Sequence, residues 1–87
     1  YMRKIIKFHA DWCGPCKNYG PAFEEATNQL TGWEIEMYNV DTPEGTEMSV
    51  AYGVKSLPTT VIIVEGKETR KLIGGLSASD LLKELTI

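Results

Sequence analysis

Two cysteines separated by two residues, Cys13 and Cys16, stand where the apolar pattern of the chain changes period. Before them, Ile5 to Phe8 are apolar or β-prone with Lys7 among them, and the run stops at Ala10-Asp11, which predicts a short buried strand. After them, from about Gly14 to Leu30, apolar residues at Tyr19, Ala22, Phe23, Ala26 and Leu30 make one helical stripe. The pair therefore sits at a helix N-terminus, directly after a strand. Pro21 removes one backbone donor inside the stripe, so a kink is expected at Gly20-Pro21, with Thr31-Gly32 closing the helix.

The rest of the chain completes the pattern. Glu34 to Val40 alternates as a second strand, with Ile35, Met37 and Asn39 on one side and Glu36, Tyr38 and Val40 on the other. Asp41-Thr42-Pro43-Glu44 offers an oxygen-bearing cap, a proline for the first turn and an acid at the positive dipole end, and the helix it starts ends by Gly53. A loop, Val54 to Pro58, leads to strands at Thr59 to Val64 and Thr69 to Ile73, joined by a hairpin through Glu65-Gly66-Lys67. Ser77-Ala78-Ser79-Asp80 resembles a capping box ahead of a last helix carrying Leu81, Leu82 and Leu85. The order β-α-β-α-β-β-α predicts an α/β fold. Its first half needs a parallel pair with a right-handed crossover and its second supplies an antiparallel hairpin, giving a mixed four-stranded sheet flanked by helices.

At 87 residues the chain is expected to be a single domain, 1–87. A net charge of −3 supplies no global positive field for nucleic acid or an anionic membrane. The longest apolar stretch, Thr59 to Val64, is far short of the roughly 20 residues that span a bilayer, and no signal-peptide pattern follows Arg3 and Lys4. A cytoplasmic monomer is the expectation. Tyr1 precedes Met2, as a residue left by cloning or processing would, and is set aside.

Cys13 and Cys16 can close a small disulfide ring, and that spacing has three readings: an exchange site, a permanent staple, or half of a metal site. The four-residue ring gains little loop-closure entropy, which weakens the staple. A zinc site usually takes four ligands, and the chain has no second cysteine pair and one histidine, His9. Exchange needs a thiolate, whereas a free thiol with a pKa near ~8.5 is mostly protonated at neutral pH. The helix N-terminus favours the anion by about 0.3–2 kcal/mol. Cys13, first in the helix and nearer solvent, is the expected nucleophile and Cys16 the resolving thiol. Gly14 permits the tight turn, and Pro15 presets φ and brings no donor.

Trp12-Cys13-Gly14-Pro15-Cys16-Lys17 resembles the active-site motif of the thioredoxin family. Pro21 falls where that family kinks the active-site helix, Asn39-Val40-Asp41 resembles the end of its next strand, and Ser56-Leu57-Pro58-Thr59 its cis-proline loop. Gly66 matches the hairpin turn and Gly74-Gly75 the glycine loop beside the groove. The resemblance implies a cis bond before Pro58 and an extended substrate pairing with the backbone of Leu57, in a groove lined by Trp12, Gly14, Pro15, Pro58 and Gly74. It further implies a redox-active Cys13–Cys16 disulfide with no bound cofactor, disulfide-bearing protein substrates, and recycling by a thioredoxin reductase or an equivalent enzyme.

Two departures stand out. The chain begins at the strand before the motif, without the leading strand and helix of ordinary thioredoxins, so Glu34 to Val40 is expected at the sheet edge, where Glu36 discourages pairing. Lys7 stands where thioredoxins carry a buried aspartate, and Met37 where they carry its lysine neighbour. Lys7 could favour thiolates as a cation, accept a proton as a buried amine, or snorkel out through the face lacking its helix. His9 is a second candidate for handling protons. The short length also fits a glutaredoxin-like donor working with glutathione or ribonucleotide reductase. A non-catalytic binding subunit that clamps an enzyme through the groove is a third reading.

Overall fold

The computed structural model describes residues 2–86, and Tyr1 lies outside them. The elements are β1 (Arg3–His9), α1 (Gly14–Thr27), β2 (Glu34–Asn39), α2 (Pro43–Ala51), β3 (Thr59–Val64), β4 (Lys67–Ile73) and α3 (Ala78–Glu84). Their order is the expected one. They form a single four-stranded sheet in the order β2-β1-β3-β4, with β1 and β2 parallel and the other pairs antiparallel.

The two-residue period of β1 divides the core. Ile5 packs with Tyr19, Phe23 and Ala26 of α1 and Leu81 of α3. Ile6 and Phe8 point the other way, against Met48 and Tyr52 of the α2 segment. β3 contributes to both layers, Ile62 to the first and Val61 and Ile63 to the second. A strand covered on both faces has no polar side to show, which explains the unbroken apolar run from Val61 to Val64.

Helix caps follow the sequence signals. At α2 the cap is Thr42, directly before Pro43, and its hydroxyl accepts the Gly45 N–H at 3.0 Å. Ser77 caps α3, accepting the Asp80 N–H at 3.1 Å. Ser77→Ala is expected to lower stability by about 1 kcal/mol, a fall in Tm of roughly 4–8 °C in a thermal unfolding scan.

Three boundaries differ from expectation. α1 ends at Thr27, not Leu30; the Thr27 hydroxyl donates to the Phe23 and Glu24 carbonyls, and the chain turns through Asn28. Leu30 still packs on the core from that turn, so the apolar spacing outlasts the helix. β4 starts at Lys67, because Glu65 and Gly66 both adopt positive φ (57° and 78°) and close the hairpin with two residues instead of three. β2 stops one residue early, at Asn39.

β2 is an edge strand among the described residues, and its polarity is inverted. Glu36 is half-buried, 3.1 Å from the Lys4 amine and accepting from the Tyr38 hydroxyl at 3.0 Å. Ile35 and Met37 are instead exposed.

Candidate active site

Cys13 is the N-cap of α1. Its backbone is extended (φ −84°, ψ 108°), its own N–H donates to the Ala10 carbonyl at 3.2 Å, and its Sγ accepts the Cys16 N–H at 3.2 Å. Polar caps such as serine or aspartate occupy this position because they accept otherwise unpaired amides of the first turn. A sulfur anion there gains the same donors and the positive end of the helix. Pro15 costs no hydrogen bond in the first turn. Cys13 and Cys16 are joined as a disulfide with Cα atoms 5.3 Å apart.

Overall accessibility does not rank the cysteines as expected: Cys13 is 4% exposed and Cys16 8%. They differ in what they face. Cys13 borders a groove of about 510 Å³ whose walls include Trp12, Gly14, Pro15, Val40 and Leu57. Cys16 borders a separate hollow of about 390 Å³ with Lys7, His9, Asp11 and Lys17.

Trp12 is a groove wall and not a core residue, being 70% exposed. Its indole N–H donates to Asp41 Oδ2 at 2.9 Å, tying the cysteine loop to the turn between β2 and α2. The bond between Leu57 and Pro58 is cis, as the resemblance implied. Leu57 reaches the groove, whereas Pro58 is buried and Gly74 donates its N–H to the Pro58 carbonyl at 2.8 Å. Pro58 and Gly74 are thus tied to one another beside Leu57. Gly74 has φ 93°, a backbone state that side chains disfavour. Among the described residues nothing hydrogen-bonds to the Leu57 backbone.

Asp41, Ser49, Val54 and Lys55 were not anticipated at the site. Asp41 lies in the stretch that signals the start of α2, and nothing local marks it as the partner of Trp12. The others come from α2 and its following loop, with no local motif to mark them.

Lys7 alternates with Ile6 in β1 and borders a hollow of about 420 Å³ with Phe23 and Glu24 of α1 and Ile35 and Met37 of β2. It is only 8% exposed, with its amine 4.9 Å from the centroid of the Phe23 ring. Burial pushes its pKa below the usual lysine value, opposed by the Glu24 carboxylate. Burial also lowers the pKa of His9, helped by the charge of Lys7 and opposed by Asp11. The native state therefore binds fewer protons at Lys7 than the unfolded chain does. Stability should rise with pH from the depressed native pKa of Lys7 up to about 10.4. Lys7→Met is expected to abolish that rise and to give the oxidised protein a higher Tm than the parent at neutral pH, measured by thermal unfolding across pH.

Among the described residues no cluster of three or more His, Cys, Asp and Glu side chains could hold a metal, and no helix is long and apolar enough to cross a membrane. The thioredoxin family profile matches residues 2–86. Thioredoxin from Mycoplasmoides gallisepticum is 38% identical over 81 residues, covering 93% of this chain and 78% of that protein. Thioredoxin from Borreliella burgdorferi is 47% identical over 64 residues, covering 72% and 54%. Among solved structures, Fasciola hepatica thioredoxin superposes with a TM-score of 0.85 at 32% identity, over 98% of this chain and 79% of that one. Oxidized mitochondrial thioredoxin 3 from Saccharomyces cerevisiae gives 0.83 at 28% identity, over 94% and 74%. A matching fold, a cysteine pair at the mouth of α1 and a profile spanning nearly the whole chain converge, and the chain belongs to the thioredoxin family of thiol–disulfide oxidoreductases.

Proposed function

We propose that this chain, as one domain over residues 1–87, reduces protein disulfides with Cys13 as nucleophile and Cys16 as resolving thiol. The observation that carries the assignment is the position of Cys13: it caps α1, where a thiolate is stabilised, and it borders the groove. The Cys13 thiolate attacks one sulfur of the substrate disulfide; the S–S bond breaks and its electron pair leaves on the other sulfur. Cys16 then attacks Cys13 Sγ, forming the internal disulfide and releasing the first substrate sulfur as a thiolate. Two electrons pass to the substrate, and the redox couple is the cysteine pair itself, without a bound cofactor.

An extended substrate segment fits beside Leu57, whose unengaged N–H and C=O can pair with it as one strand pairs with another. Trp12 and Val40 offer apolar walls to the residues flanking the substrate cysteine. The oxidised protein is recycled by a thioredoxin reductase or an equivalent enzyme, and it works in the cytoplasm as a monomer, in electron transport and cell redox homeostasis. Coupled to thioredoxin reductase and NADPH, the chain is expected to turn over a protein disulfide at a rate proportional to its concentration. Turnover only with glutathione and glutathione reductase would overturn this reading in favour of a glutaredoxin-like donor.

A further inference from the structure

The hollow of about 420 Å³ between α1 and β2 has no part in dithiol exchange as set out above, and it shares no wall residue with the substrate groove. Pro21, Phe23 and Glu24 border it from α1, Ile35 and Met37 from β2, and Lys7 from β1. The parallel register pairs Ile5 with Ile35 and Lys7 with Met37. Ile35 is 42% exposed and Met37 58%, so two large apolar side chains meet solvent at this end of the sheet. Exposed apolar residues are common and by themselves mark nothing. Lys7 is what sets the hollow apart.

Lys7 alone carries a charge among the buried residues described. It is more than nine-tenths buried, and nothing among those residues forms a hydrogen bond or ion pair with its amine. The amine lies over the Phe23 ring, which borders this hollow and not the one beside Cys16, so the charge belongs to the space between α1 and β2. A ring face offsets part of the lost hydration, but an ammonium has three N–H donors to satisfy. A buried cation without an acceptor is a site that an anion completes.

We propose that this hollow binds a small monocarboxylate with an apolar body, its carboxylate on the Lys7 amine and its body against Phe23, Ile35 and Met37. The charge of the ligand follows from the walls. Lys7 is the only cation bordering the hollow among the described residues, and the Glu24 carboxylate repels a second negative charge, which disfavours phosphate and dicarboxylates. The Thr27 hydroxyl is committed to the Phe23 and Glu24 carbonyls, so the walls offer little to a polar body. An ammonium–carboxylate pair is a charge-assisted hydrogen bond, roughly twice as strong as a neutral one. The volume falls in the range of about 300–1,000 Å³ typical of small-molecule sites, and the unbranched Met37 side chain can adjust to the body it meets.

The test is an NMR titration of the oxidised protein with octanoate, octanol and inorganic phosphate, following Lys7 Cε, the Phe23 ring and the Met37 methyl. Octanoate is expected to shift these signals saturably, with an affinity at least about tenfold above that of octanol or phosphate. Lys7→Met should abolish the preference for octanoate over octanol. Met37→Glu, at an exposed position, sets a fixed carboxylate in the strand position paired with Lys7 and should weaken octanoate binding about tenfold without disturbing the core. Because the groove is separate, saturating octanoate should leave KM for a protein disulfide unchanged. Equal affinities for octanoate and octanol would overturn the proposal, as would octanoate shifts centred on Trp12 and Leu57 with competitive inhibition of turnover. Shifts at Ile35 and Met37 that follow protein concentration and not octanoate would also overturn it, and would give this face to a second copy of the chain.

Discussion

Cys13→Ser is expected to reduce protein-disulfide turnover by at least about a thousandfold, since a serine hydroxyl is not ionised near neutral pH and removing a nucleophile removes the covalent route. Cys16→Ser is expected to fail differently. Its Cys13 still caps α1 and still borders the groove, so it attacks substrate but nothing returns to release it. Mass spectrometry of Cys16→Ser after exposure to a disulfide-bearing protein should show a covalent one-to-one adduct that a reducing agent dissolves. Cys13→Ser under the same conditions should show none. The opposite pattern would assign the nucleophile to Cys16, and retention of biological function in the double variant would return the chain to the class of binding subunits.

The second large effect is structural and acts at a distance from the sulfurs. Gly45 sits in the first turn of α2, and a Cβ there would collide with the backbone carbonyl of Asn39 and with the Thr42 hydroxyl. The Asn39 carbonyl is backbone and cannot rotate away, and the Thr42 hydroxyl can do so only by giving up its hydrogen bonds. The Asn39 carbonyl already accepts from the Thr42 N–H and hydroxyl, and the Asn39 side chain accepts the Asp41 N–H at 2.9 Å. Gly45→Ala must therefore push α2 off the end of β2, at a cost of about 3 kcal/mol or a fall in Tm of roughly 12–24 °C. Because the same turn carries Asp41, the shift should also loosen the Trp12 tether and raise KM for protein substrates in the folded fraction. A Tm within a few degrees of the parent would show that the junction is more compliant than its close contacts indicate.

Much of this molecule was legible in its residue order. The change from β-prone run to helical stripe at Cys13 and Cys16, the caps at Thr42 and Ser77, and the Glu65-Gly66 turn are local signals, carried by residues a few positions apart. Local physics acts on them in any context, and the structure places every element where they indicate. The errors at boundaries have the same origin. A stripe reports which side chains reach the core, and Leu30 reaches it from a turn as well as it would from a helix.

The site was only half readable for the opposite reason. Cys13 and Trp12 announce themselves by sequence, but Asp41 lies 29 residues from its partner Trp12 and meets it only because β2 pairs parallel with β1. Val54 and Lys55 reach the groove because α2 folds back over the second layer. The setting of Lys7 is the sharpest case. Its position in β1 follows from alternation, yet its burial against the Phe23 ring of α1, and the lowering of its pKa that burial brings, belong to the packed helix and sheet. The residue order by itself determined the strand, the helix and the two sulfurs between them. Tertiary packing alone decided which cysteine borders the groove and which borders the hollow lined by Lys7 and His9, because burial and desolvation belong to the assembled layers and not to any one segment.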